Sequence, residues 1–317
     1  MRHKSWIVRD LLHVTAEYLE KKGIDRPRLT AEILLAHKLN VDRVTLYLNF
    51  DQPLTENELS GYRTLIKRRL QREPLQYITG IQEFWSLEFV VTPQVLIPRP
   101  ETELLVEQAI ERLKAFPAVE NHTPRVLDLG TGCGAIAISL AKEVQQTKIW
   151  ATDISAGALK LARLNAEKHG VTDKIRFIQG NLWEPLLDQG VTFDIILSNP
   201  PYIASEEFEG LSPEVRDYEP RLALDGHEDG MTYIQTIILE APAFMNPGGW
   251  IMLEMAPGQT EKALGLIGEI KGYGEKTRIK DYSHLYRVVM AQRKNNQDPA
   301  TSDLGITPGG QEKSECD

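Results

Sequence analysis

Cysteine is nearly missing from this sequence: Cys133 and Cys316 are the only two in 317 residues. Two thiols cannot supply a disulfide framework, and their separation matches no paired zinc-ligand spacing, so the pattern speaks against both a stapled fold and a zinc site. Long apolar runs are missing as well. No uninterrupted stretch approaches membrane-spanning length, and Met1-Arg2-His3-Lys4-Ser5-Trp6 contains no apolar signal core. A cytoplasmic protein with no membrane contact is expected. Surplus positive charge is also lacking, since 45 acidic residues outnumber 36 lysines and arginines for a net charge of −9. Such a chain lacks the global field of most nucleic-acid binders, so no direct nucleic-acid binding is expected, although a local basic face stays compatible with the composition.

What is present is enough apolar residues, 42%, to fill the core of one large domain and a smaller one. Residues 1–75 are expected to be a helical domain. Ile7, Leu11, Val14 and Tyr18 share one helical face, Gly23 is a stop, 28–39 is a second helix, and Thr55-Glu56-Asn57-Glu58 is a capping box opening a third with Leu59, Tyr62, Ile66 and Leu70 on one side. Lys67, Arg68, Arg69 and Arg72 on that helix read as a solvated face, or as a docking surface for an acidic or RNA-containing partner. Residues 76–97 turn to aromatic and β-branched types broken by Gly80 and Pro93, the pattern of a hairpin or linker. Pro98-Arg99-Pro100-Glu101-Thr102-Glu103 follows, with Thr102 or Glu101 placed to cap a helix over 104–113.

From residue 98 to 293 strands and helices alternate, which predicts an α/β domain with a mostly parallel sheet. Arg125-Val126-Leu127-Asp128-Leu129-Gly130-Thr131-Gly132-Cys133-Gly134 reads as strand, glycine loop and helix start. Asp153 ends the next strand about twenty residues on, where a carboxylate takes ribose hydroxyls. The loop departs from the Gly-x-Gly-x-x-Gly of dinucleotide enzymes. Asp128 repels a pyrophosphate and attracts an ammonium, which points to S-adenosyl-L-methionine, with an atypical NAD site as the alternative. A third strand end, Gly180-Asn181-Leu182-Trp183, is placed to reach adenine, with Asn181 on its amino edge and Leu182 or Trp183 on its face.

The stretch Asp194-Ile195-Ile196-Leu197-Ser198-Asn199-Pro200-Pro201-Tyr202 reads as a buried strand stopped by two prolines. Asn199 and the Pro200 carbonyl offer two acceptors suited to a planar NH2, and Tyr202 can stack on its flat carrier. Such acceptors aim a delocalised nitrogen lone pair as it attacks. Read alone, Asn-Pro-Pro is also ordinary turn punctuation. Residues 203–230 are expected to be a long loop, followed by a helix over 231–244, a strand over 250–255, a helix near 260–267, and an antiparallel edge pair over 276–280 and 286–292. Past Arg293 the polar, Gly-rich composition predicts a disordered tail over 294–317. It carries Gly309-Gly310-Gln311, a weak internal competitor or slow self-substrate if the site accepts a Gly-Gly-Gln glutamine.

Taken together, the helical start, Leu96-Ile97-Pro98-Arg99-Pro100-Glu101-Thr102-Glu103, the loop from Asp128 to Gly134, Asn199-Pro200-Pro201-Tyr202-Ile203 and Tyr218-Glu219-Pro220-Arg221 resemble the PrmC/HemK-type protein glutamine N5-methyltransferases. The resemblance covers most of residues 1–290. It implies a Rossmann-like class I methyltransferase domain behind a small helical domain, S-adenosyl-L-methionine as cofactor, and the Gly-Gly-Gln glutamine of peptide-chain release factors as substrate; separately, a monomer is expected. By the same resemblance Gly130, Thr131, Gly132, Cys133, Gly134, Asp153 and Leu182 bind the cofactor, and Asn199, Pro200, Pro201 and Tyr202 hold the glutamine side chain. A ribosomal-protein glutamine, an adenine amino group in DNA or RNA, and a non-catalytic cofactor-binding adaptor are the competing readings.

Overall fold

The computed structural model describes residues 6–115 and 122–295. Cys316 and Gly309-Gly310-Gln311 lie outside the described residues, as do most of 294–317 and part of the polar gap 117–124.

The chain begins with helices α1 (Val8–Lys21), α2 (Pro27–Leu39), α3 (Arg43–Leu48), α4 (Glu56–Leu70) and α5 (Leu75–Thr79), packed on Leu12, Leu19, Leu34, Leu35 and Tyr62. The capping box at Thr55 and Glu58 forms, and Leu59, Tyr62 and Ile66 turn inward. The face of α1 differs from expectation. Its buried residues are Val8, Leu12, Thr15 and Leu19, while Val14 and Tyr18 are 47% and 45% exposed. Two stripes at the same spacing lie side by side on this helix; the one with three aliphatic residues and the small Thr15 goes inside, and the one that ends in the bulkier Tyr18 leaves Val14 and Tyr18 at the surface. Helices α3 and α5, of six and five residues, are too short for periodicity to announce.

The basic run on α4 also departs from both readings made of it. Arg68 pairs with Glu73, while Arg69 and Arg72 reach Glu214, 145 and 142 residues away. Of the run, Lys67 alone is exposed. Two of these four charges, Arg69 and Arg72, close a contact between the helical bundle and the domain that follows.

Strands β1 (Ile81–Phe84) and β2 (Leu87–Val90) form the expected hairpin, turned by Trp85 and Ser86, both at positive φ. Such a two-residue turn matches strand twist but disfavours side chains; Glu103 offsets the cost by accepting from the Trp85 N–H at 2.7 Å. Helix α6 (Glu103–Ala115) then leads into the sheet.

The sheet comprises β3 (Arg125–Leu129), β4 (Lys148–Asp153), β5 (Ile175–Gln179), β6 (Phe193–Ser198), β7 (Met245–Glu254), β8 (Tyr273–Lys280) and β9 (Tyr286–Arg293), in the order β5-β4-β3-β6-β7-β9-β8. Neighbours from β5 to β7 run parallel, and β9 is antiparallel to both β7 and β8. Helices α7 (Ala135–Glu143), α8 (Ala156–His169), α9 (Pro213–Arg216), α10 (Thr232–Phe244) and α11 (Thr260–Glu269) complete the domain. Alternate side chains feed opposite cores: Val126, Ile195, Leu197 and Met252 pack toward α6, α7 and α8, while Leu127, Ile196, Ile251 and Leu253 pack toward α10 and α11. Burial on both faces explains the continuous apolar runs of the central strands.

Two expectations are revised here. Strand β7 starts at Met245, so Asn246-Pro247-Gly248-Gly249 lies within it as an irregularity: β6 pairs Phe193 with Met245 and then Ile195 with Trp250. A Cβ on Gly249 would come within about 3 Å of the Asn246, Asp194 and Phe193 carbonyls, so the close approach needs glycine. The segment 203–230 is no open loop either. It folds into turns at Ser205–Gly210 and Arg221–Ala223 around α9.

From β3 the chain moves outward through β4 and β5, then returns to the other side of β3 with β6. The carboxyl ends of β3 and β6 therefore flank a topological switch point, where an open α/β sheet leaves a crevice.

Candidate active site

At that switch point lies a cavity of about 940 Å³ including its open mouth. Gly130 and Gly132 from the loop after β3, Asp153 from β4, Asn181 and Leu182 after β5, and Asn199, Pro200 and Pro201 after β6 all line it. Each comes from a different strand end.

The glycine loop is held from beneath. Gly130 and Thr131 both donate backbone N–H groups to the Thr152 carbonyl at 2.9 Å, tying the loop to β4. Gly130 and Gly132 adopt φ of 73° and 55° with open space where a Cβ would project, so conformation demands glycine there. At Gly134 closeness adds to conformation, because a Cβ would sit 2.8 Å from Ile138. Asp153 accepts from the Gly132 N–H at 2.9 Å with one oxygen and from the Ser155 N–H at 2.8 Å with the other. Burial raises its carboxyl above the ordinary range, and those two bonds pull the other way. Each oxygen keeps a lone pair for a hydroxyl in the cavity.

Not every residue singled out from the sequence reaches the cavity. Thr131, Cys133 and Gly134 do not line it. Asp128 is fully buried and turned into the loop, accepting from Thr131 Oγ1 at 2.7 Å and the Ala137 N–H at 3.2 Å. It braces the loop against α7 through Oδ2 and does not line the cavity, while its buried Oδ1 has no hydrogen-bond partner among the described residues. Burial pushes its carboxyl up to about 7, against the pull of those bonds. The Cys133 thiol, buried and pushed up to about 12, is a packing group.

Leu182 holds φ of 44°, a conformation costing a non-glycine residue about 1–2 kcal/mol. Its packing against the core beside Trp183 offsets that cost and keeps it at the cavity wall. Trp183 itself is buried and stacks on Phe244, so of the two candidates for covering a flat ring only Leu182 is at hand.

At the end of β6, Asn199 donates from Nδ2 to Thr102 Oγ1 at 3.1 Å. Among the described residues neither Asn199 Oδ1 nor the Pro200 carbonyl accepts a hydrogen bond. Tyr202 is partly buried against the α10–α11 core and does not line the cavity; its backbone carbonyl is held by Gln259 at 2.8 Å. Burial and then the charge of Glu254 push its phenol up to about 12. The backbone after Tyr202 is clasped by Ile203 and Gly226, paired at 2.8 Å, and Gly230 approaches the Tyr202 carbonyl too closely for any Cβ.

Several contributors went unrecognised in the sequence. Gln94, Val95 and Leu96 from the segment after the hairpin form one wall, and Pro220, Leu222, Ala223 and Tyr233 another. Asn165 on α8, fully buried, bonds the Cys133 carbonyl at 2.9 Å and both backbone groups of Val90, linking the glycine loop to the hairpin. Glu219 accepts from Arg99 at 2.6 Å and from the Ile97 N–H at 3.2 Å, buckling the wall at Pro220 to the segment before α6. Only the run Tyr218-Glu219-Pro220-Arg221 pointed toward one of these roles, through the family resemblance; nothing in the sequence marked Asn165.

The chain matches the PrmC N-terminal domain over residues 10–80 and the methyltransferase small domain over residues 102–211. It is 46% identical to the release factor glutamine methyltransferase of Geobacter sulfurreducens over 90% of this chain and 96% of the relative. The chain belongs to the release factor glutamine methyltransferase family. The Chlorobaculum tepidum member is 42% identical, over 90% of this chain and 96% of its own. Among solved structures, the human METTL16 catalytic domain in complex with an RNA hairpin aligns with a TM-score of 0.53 at 17% identity, over 72% of this chain and 82% of that one, a likeness of fold alone. The family's methyltransferase fold is thus the seven-stranded sheet described above, and S-adenosyl-L-methionine is its cofactor. No helix among the described residues is long and apolar enough to cross a membrane.

Proposed function

We propose that the protein transfers a methyl group from S-adenosyl-L-methionine to the side-chain amide nitrogen of a glutamine in a protein, the Gly-Gly-Gln glutamine of a peptide-chain release factor, acting in the cytoplasm as a monomer. The supporting observation is that two unspent acceptors, Asn199 Oδ1 and the Pro200 carbonyl, stand at the wall of the same cavity as Gly130, Gly132 and Asp153.

The cavity fits the cofactor. Asp153 retains lone pairs for a ribose diol, Asn181 and Leu182 offer an amide and an apolar face for a purine, and the open space before Gly130 and Gly132 admits a ligand against backbone. Bound there, S-adenosyl-L-methionine supplies an electrophilic methyl group on a sulfonium.

An amide nitrogen is a poor nucleophile because its lone pair is delocalised. Asn199 Oδ1 and the Pro200 carbonyl take one amide hydrogen each, which fixes the plane of the substrate amide and favours pyramidalisation as the nitrogen attacks. Two rigid prolines keep both acceptors in place without reorganisation. Tyr202 supports this backbone from the core side through its anchored carbonyl. Loss of one N–H proton to solvent completes the exchange. Proximity and orientation are the main sources of rate. Residues 1–75 are the domain that meets the acceptor protein, and 98–293 the catalytic domain.

Labelled cofactor incubated with a release factor, with the same factor carrying Gln→Ala in Gly-Gly-Gln, with ribosomal proteins and with nucleic acid tests the proposal. Label on the first acceptor only is expected; label on a ribosomal protein or on adenine instead refutes the substrate assignment.

A further inference from the structure

Gln94 is exposed, yet it lines the cavity together with Asp153, Ile154, Ser155 and Ala158, which come from the end of β4 and the start of α8. Its backbone is pinned on either side of the side chain: its own N–H reaches Thr92 Oγ1 at 3.4 Å, and the Val95 carbonyl accepts from the Tyr77 hydroxyl at 2.6 Å. The side-chain amide itself is unspent. Among the described residues it makes no hydrogen bond, although it has one acceptor and two N–H groups to offer.

Gly157, in the first turn of α8, fixes where that amide lies. Its φ is not positive, so conformation does not call for glycine, and glycine weakens a helix relative to alanine. Space calls for it instead. A Cβ on Gly157 would come 2.9 Å from Gln94 Oε1 and 3.1 Å from its Cδ. The Gln94 amide therefore rests against the backbone of α8 just past Asp153, the carboxyl placed for a ribose diol.

A ribose hydroxyl that gives its proton to Asp153 keeps lone pairs on its oxygen, and these are best met by a neutral donor at the cavity wall. We propose that Gln94 is a second ribose-binding residue, its Nε2 donating to a cofactor hydroxyl oxygen while Asp153 accepts the hydroxyl proton, and that glycine at 157 leaves the room for it. This rests on Asp153 as the ribose acceptor and not on the identity of the methyl acceptor. It also gives the segment between the hairpin and α6 a direct part in holding the cofactor, beside groups that all come from strand ends of the sheet.

The test measures calorimetric affinity for S-adenosyl-L-homocysteine, which carries the same ribose, and for its 2′-deoxy and 3′-deoxy analogues, in the full chain. Gln94→Ala should raise the dissociation constant of the parent compound roughly 3- to 10-fold, the worth of one neutral hydrogen bond. Gln94→Glu, which keeps the shape and loses the N–H donors, should weaken binding at least as much. For one of the two deoxy analogues the difference between wild type and Gln94→Ala should vanish, because the hydroxyl that Gln94 addresses is gone. Gly157→Ala should leave the thermal midpoint of the cofactor-free protein equal or higher, since only the far end of a flexible side chain must move, and should weaken binding by about the same factor as Gln94→Ala. Added to Gln94→Ala, it should cost nothing more. Wild-type affinity in Gln94→Ala, or a full Gln94→Ala effect on both deoxy analogues, overturns the proposal and leaves Asp153 and the glutamine reading standing. An equal loss from Gly157→Ala with and without Gln94 overturns the role given to the glycine. Unchanged affinity in Asp153→Ala removes the ribose site on which the proposal rests.

Discussion

Arg69 of the helical bundle and Glu214 of the catalytic domain form an ion pair at 2.9 Å, with only 8% and 20% of their side chains exposed. Arg72 joins the same oxygen at 3.4 Å, and the Tyr218 hydroxyl reaches the Gln71 carbonyl at 2.7 Å. Burial raises the Glu214 carboxyl, and the two guanidinium groups outweigh it and hold the carboxyl below its usual range. Glu214→Ala leaves two arginines facing each other without a counter-charge, a loss of up to about 3 kcal/mol at this contact. Faster proteolysis between the helices and the hairpin and a raised KM for the protein acceptor are expected, with cofactor affinity unchanged. Equal cleavage rates for wild type and variant would show that the pair does not hold the domains together.

Asn199→Ala removes one of the two acceptors that address the substrate amide. Transfer should fall by about 100-fold or more, the scale of losing one preorganised hydrogen bond to a reacting group. Cofactor affinity and thermal midpoint serve as controls. Near-normal turnover in this variant would remove Asn199 from the chemistry.

Asp153→Ala should act on the cofactor instead. Hydroxyl bonds to a charged acceptor contribute about 1.5–3 kcal/mol each, and the Gly132 N–H loses its partner as well, so the loop loosens. Calorimetry should show the dissociation constant rising at least tenfold. Unchanged affinity would place the ribose elsewhere.

Asp128 and Glu254 make stability depend on pH in an unusual direction. Burial pushes each up to about 7 in the folded protein, whereas an unfolded chain titrates its carboxyls near 4. Thr131 and the Ala137 N–H oppose the shift at Asp128, and the charge of Asp153 adds to it. Thr102, Arg287 and Arg99 oppose it at Glu254, and Glu101 adds to it. Between about pH 4 and pH 7 the folded state holds protons that the unfolded state has released. The contribution of these groups to stability therefore falls as pH rises through that window and levels off above it. Thermal midpoints of the cofactor-free protein, compared at about pH 5 and pH 7.5, should differ less for Glu254→Gln than for wild type. Parallel pH profiles for the two would show that Glu254 is ionised throughout.

The sequence was most readable where local rules and global packing agree. Glycines at 130, 132 and 134 after an apolar run, an acidic end to the next strand, and Asn-Pro-Pro-Tyr after a third are each set by backbone chemistry at one strand end, so they could be read one at a time. The stripe on α1 was misread because a second face, interrupted only by Thr15, had equal spacing. Arg69 and Arg72 were misread because their partner, Glu214, lies more than a hundred residues away. Asp128 was assigned to a ligand because its position suited one; Thr131 and Ala137 both bond its Oδ2, while its buried Oδ1 has no partner among the described residues.

What the sequence determined by itself is the order of strands and helices, the turns that glycine and proline impose, and the chemical types at each strand end, since all of these follow from periodicity and local backbone preference. Only the tertiary structure decided which of those groups face a ligand. Strand order brought the ends of β3 and β6 to one crevice, the pairing of β6 with β7 put Glu254 beside Asn199, and the turn before α6 delivered Thr102 to Asn199. A hydrogen bond between residues 97 positions apart leaves no mark on the spacing of either, because its geometry is set by how the elements pack.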